Sequence, residues 1–64
     1  MTEMMFDEGQ KVVHIRTNNV YYVLLHALDV VTLDGVYVYK SEETGMVWVR
    51  RASLMEDGRF MAVD

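Results

Sequence analysis

A small all-β barrel of five strands, with one short helical turn before the last, is the fold this sequence predicts. Three observations carry that expectation. Period-two alternation and β-branched or aromatic runs dominate, whereas helical periodicity is weak throughout. Turn residues punctuate the chain at Thr17-Asn18-Asn19, at Asp34-Gly35 and across residues 41–45. Five short strands joined by such turns bury their apolar faces most simply by closing on themselves.

Residues 1–8 are rich in Met and acidic groups and are expected to form a mobile or loosely docked arm, leaving residues 9–64 as the barrel domain. The first strand is expected over residues 11–16, with Val13 and Ile15 opposing Val12 and His14. Asn18 and Asn19 suit the hairpin that follows, because Asn tolerates the left-handed conformation a tight turn needs. Residues 20–28 form a long second strand that is apolar on both faces. Tyr21, Val23, Leu25 and Ala27 lie on one; Val20, Tyr22, Leu24, His26 and Leu28 lie on the other. A strand covered on one side only shows polar residues on its open side. This one is therefore expected to bend within a barrel or to offer a face to a partner.

Residues 29–33 extend that strand, and Asp34-Gly35 supplies a hairpin signal. A third strand follows over residues 36–40. Residues 41–45 make a polar turn in which Gly45 is free to take positive φ. A fourth strand covers residues 46–51. Ser53 and Glu56 have capping-box spacing, in which the hydroxyl and the carboxylate satisfy backbone donors reciprocally. Gly58 suits the exit of that turn, and residues 59–63 form the last strand.

Composition narrows the function. Ten acidic residues against six basic ones give a formal charge of −4. Four Tyr, two Phe and a Trp argue against intrinsic disorder. No apolar run approaches the ~20 residues that cross a bilayer, and no basic start or long apolar stretch marks a secretory leader. A cytoplasmic location is the default expectation. The chain has no Cys, which removes disulfides, Cys-bearing zinc sites and thiol nucleophiles. His14, His26 and Asp29 lack short ligand spacing, so neither a metal nor a cofactor is expected. Ser41 and Ser53 fall in a turn and at a cap, and Glu42-Glu43 lies in an open turn that leaves both carboxylates ordinary. We expect no enzyme. A domain this small hides only about 60% of its unfolded surface, so self-association is also expected.

The aromatic residues and arginines make the better site. Tyr22, Tyr37, Tyr39, Trp48, Arg50 and Arg51 are the candidate protein-binding residues, rigid rings rimmed by charge. Tyr37, Tyr39, Met46 and Trp48 share a face if the third and fourth strands pair. Trp48 weighs toward the core, since one large ring is valuable to so small an interior; Tyr22 and Tyr39 weigh toward exposure. Arg and aromatic side chains together also suit single-stranded nucleic acid, but an acidic chain lacks long-range attraction for phosphate. Acidic mimicry of DNA is opposed by the six cations.

Residues 12–60 carry a recognisable pattern. It comprises Tyr21, Val23, Leu24, Ala27 and Thr32, then Val38-Tyr39-Lys40, then Gly45-Met46-Val47-Trp48-Val49-Arg50 and Met55. In these positions the chain resembles an uncharacterised family of short bacterial and phage proteins, domain-of-unknown-function family 1653. Two departures stand out: Arg51 occupies the position of a family Pro, and Glu56 rather than Phe follows Met55. The resemblance implies an SH3-like barrel and no known activity. With it, the expectation is a phage or prophage accessory protein, in the host cytoplasm, that binds a host or phage protein. A nucleic-acid-binding SH3-like module and a self-assembling structural protein are the alternatives.

Overall fold

The computed structural model describes residues 4–64. Five strands, β1 (Lys11–His14), β2 (Val20–Leu28), β3 (Gly35–Ser41), β4 (Val47–Arg51) and β5 (Phe60–Val63), form one antiparallel sheet in the order β4-β3-β2-β1-β5. A single helical turn, α1 (Ala52–Met55), joins β4 to β5. The sheet is not closed: β4 and β5 are its two ends. It curls far enough for side chains from opposite ends to meet. The Arg50 guanidinium of β4 lies 5.3 Å from the ring centroid of Phe60 on β5. Phe60 also packs against Tyr39 and Tyr21, with ring centroids 5.9 Å away in each case.

A β-bulge explains the doubly apolar second strand. Val23 pairs with Tyr39 and Leu25 with Val38, so Leu24 is an extra residue and the alternation flips there. Before the bulge Tyr21 and Val23 share the face of Ser41 and Tyr39. After it His26 shares the face of Tyr37. Leu24 and Leu25 are left exposed on the other side. The expected even and odd sets therefore exchange places halfway along the strand.

The core on the inner face comprises Phe6, Val12, Val23, Tyr37, Tyr39, Met55 and Phe60. Phe6, within the segment expected to be a mobile or loosely docked arm, is part of this core. Its ring sits 5.8 Å from Tyr37, its N–H donates to the Tyr37 hydroxyl at 3.0 Å, and its carbonyl accepts from His26 Nε2 at 2.6 Å. Residues 1–3, the rest of that arm, lie outside the described residues.

Two further local expectations change. The capping box does not form: Arg51 precedes α1 with no side-chain cap. The Glu56 carboxylate instead accepts the Tyr37 hydroxyl and, at 2.8 Å, the Met5 N–H. The turn after β2 occupies residues 29–34, not Asp34-Gly35. Leu33, not Gly35, takes positive φ there, at 62°. Gly35 already belongs to β3, where a Cβ would sit 3.3 Å from Met4 Sδ. At the other turns the left-handed conformation falls on Asn18 and Gly45, as their residue types require.

Candidate protein-binding surface

The six residues singled out from the sequence do not form one surface. Register puts Tyr37, Tyr39, Trp48 and Arg50 on the inner face and Tyr22 and Arg51 on the outer one. Tyr37 and Tyr39 are buried in the core and contribute no free contact area. They are central because β3 has a neighbour on each side, so its inner rings are covered by the rest of the core.

Burial of its ring and the bond to the Glu56 carboxylate push the Tyr37 phenol up to about 12. The Tyr39 hydroxyl accepts Arg50 Nε at 3.2 Å, which ties the half-buried Arg50 down. Tyr22 is half-buried and donates to Glu42 at 3.3 Å. Trp48, expected in the core, is 48% exposed, because β4 is the end strand of the sheet among the described residues. Arg51 is exposed. Of the six, Trp48 and Arg51 remain as open surface.

A different group dominates the exterior. Leu28, Val30, Val31 and Leu33, at the β2–β3 end, are 68%, 88%, 86% and 70% exposed. Their backbone is nonetheless tightly organised. The Asp29 N–H donates to Asp34 O at 2.9 Å and the Leu33 N–H to Asp29 O at 2.7 Å. The Asp29 carboxylate accepts the N–H groups of Val31 and Thr32 at 2.8 and 3.1 Å, and the Thr32 hydroxyl accepts Asp34 N–H at 3.2 Å. Those backbone donors, chiefly Thr32 and Val31, hold the Asp29 carboxyl below its ordinary range. Polar groups thus fold the loop inward on itself while its apolar side chains point to water.

Beside the loop runs an open groove of about 780 Å³. Leu28, Leu33, Ala27 and Ala52 supply apolar walls, and Arg51 and Asp34 supply charge. Arg51 is the one sequence-predicted contact residue that lines it.

This loop was hidden in the sequence because Val30, Val31 and Leu33 extend an apolar run and read as more strand. The available signal was Asp29 followed by Thr32, two short polar side chains suited to capping their own backbone.

His14 packs edge-on against Phe60 at 4.9 Å, and His26 is engaged with Phe6. Among the described residues no three His, Asp or Glu side chains are grouped to hold a metal ion, and no helix is long and apolar enough to cross a membrane. No protein-family model, curated protein or solved structure matches this chain. The resemblance to family 1653 therefore rests on its motif alone.

Proposed function

We propose that this chain is a small protein-binding module that docks a partner through the Leu28–Leu33 loop and the adjoining groove. One observation carries the proposal. Leu33 is a large apolar residue held at φ 62° and 70% exposed. The left-handed region costs a non-glycine residue roughly 1–2 kcal/mol, and a leucine that is mostly exposed recovers little of that by burial. Strain of this kind persists where the surrounding structure enforces it, and it clusters at functional sites. Here the enforcing groups are Asp29 and Thr32.

The partner takes Leu28 and Leu33 as apolar anchors and pairs with Arg51 at the rim, the arrangement of a hot spot bordered by charge. The chain then acts as an accessory factor without catalytic chemistry of its own. The open five-stranded sheet serves as an SH3-like scaffold in which Arg50 and Phe60 bridge the gap between its ends.

Affinity purification with nuclease treatment tests this, comparing the natural chain with Leu28→Asp, an exposed position whose change spares the core. A protein retained by the natural chain and lost by the variant supports docking at the loop. Retention by both chains, or a partner released by nuclease, overturns it.

A further inference from the structure

We propose that a second copy of this chain pairs with the free edge of β4, antiparallel, about a two-fold axis at Trp48. This surface shares Arg51 with the groove beside the Leu28–Leu33 loop, but the positions that test each, Val49 here and Leu28 there, are distinct, so the two can fail independently.

β4 ends the sheet, so one side of its backbone has no strand neighbour among the described residues. Alternation fixes which groups face outward. Ser41 N–H donates to Met46 O at 2.9 Å, and Tyr39 and Tyr37 stand opposite Trp48 and Arg50. The backbone groups of Trp48 and Arg50 therefore turn toward β3, and those of Val47, Val49 and Arg51 turn toward the open side. Val47, Trp48 and Val49 are 52%, 48% and 65% exposed, so the strand is bare on both faces as well as along its edge. β5, at the opposite end of the sheet, has one large exposed apolar side chain, Met61.

Natural edges are usually protected by proline, a bulge or an inward-pointing charge. Among Val47, Trp48 and Val49 there is none of these, and the cations Arg50 and Arg51 follow only at the strand's end.

The charge pattern selects the orientation of a second copy. The turn before β4 carries Glu42 and Glu43, and the far end of the strand carries Arg50 and Arg51. Side-by-side copies in parallel would set like charges together. Antiparallel copies bring each arginine pair toward the partner's acidic turn.

Centring on Trp48 also matches the backbone and the side chains. Val47 and Val49 of one copy then exchange N–H and C=O bonds with Val49 and Val47 of the other. The two Trp48 rings meet across a non-hydrogen-bonded site on the inner face, where strands approach most closely. Apolar side chains meet apolar ones at each of the three positions, and the two sheets become one of ten strands. A chain of this size gains burial from such a partner that its own core cannot supply.

Since the chain contains no Cys, introduced thiols report the register cleanly. Val47→Cys and Val49→Cys chains, mixed and oxidised mildly, are expected to cross-link to each other far faster than either does alone. The paired Cα atoms at these positions lie within disulfide reach, whereas each residue and its own symmetry copy stand two positions out of line. Sedimentation equilibrium of the natural chain is expected to rise with concentration toward twice the 7.5 kDa of one chain. Val49→Lys, at an exposed position, is expected to weaken that association at least tenfold. A mass that stays at one chain up to millimolar concentration overturns the proposal. So does a dimer that Val49→Lys leaves intact, or cross-linking no faster in the mixture than in the single variants.

Discussion

Removing one hydroxyl from the centre of this fold, Tyr37→Phe, tests its internal polar network. That oxygen accepts the buried Phe6 N–H at 3.0 Å and donates to the Glu56 carboxylate. Tyr37 has no exposed area, so water does not replace either partner. Leaving a buried donor unsatisfied costs about 1–3 kcal/mol, and a hydrogen bond to a charged group contributes about 1.5–3 kcal/mol. Glu56 keeps the Met5 N–H and some solvent, so a total of about 2–4 kcal/mol is expected rather than the full sum. A chain of 64 residues has about 3–10 kcal/mol of stability in all. Urea denaturation followed by circular dichroism should show the midpoint falling by about a fifth or more, with an unchanged slope.

The same hydroxyl makes an alkaline signature. Below pH 10 the phenol is protonated in both folded and unfolded chains, and its contribution to stability is complete. Above pH 10 the unfolded phenol loses its proton while the folded one holds it to about 12. Stability is therefore lost as pH rises across that window, by about 1.4 kcal/mol per unit from this group. Tyr37→Phe should remove that slope. A variant within about 0.5 kcal/mol of the natural chain, the ordinary range for surface changes, with the alkaline slope intact, would refute the role assigned to this hydroxyl.

Other expectations follow from the same geometry. Met55→Ala empties a site with no exposed area beneath α1 and should cost about 2–5 kcal/mol in denaturant titration. The Asp29 carboxyl is held below its ordinary value by the Thr32 and Val31 amides, so the contribution of these bonds is complete above the unfolded value of 3.8 and is lost as pH falls through the lowered folded value. Those two amide resonances should move together in an acid titration monitored by NMR, and Asp29→Asn should abolish the shared transition. Partner affinity should vary little with salt, since apolar anchors release no condensed counterions. A linear fall of log affinity with log salt would point to phosphate contacts instead.

Much of this fold is legible in the residues. The second strand spans residues 20–28 as its β-branched and aromatic run predicts, and Asn18 and Gly45 sit at positive φ where turn chemistry puts them. What local patterning does not carry is the setting of a strand within the sheet. Tyr37, Tyr39 and Trp48 alternate alike, yet two are core and one is open, because β3 lies between neighbours and β4 lies at an end. The bulge at Leu24 is equally silent: one extra residue turns a one-sided strand into an apparently two-sided one. Glu56 illustrates the limit of motif spacing. Its distance from Ser53 suggests a cap, but Tyr37 and Met5, remote in sequence, hold its carboxylate. Phe6 reaches the core through contacts no short window contains.

Leu33→Asn separates display from structure in one paired experiment. Asn accepts φ near 62° more readily than Leu, and the side chain replaced is mostly in water, so thermal unfolding should shift upward by ~2–8 °C, from a gain of about 0.5–1 kcal/mol. The same substitution should weaken capture of the partner at least tenfold. A lower melting temperature with undiminished capture would contradict the claim that the loop trades stability for an exposed anchor.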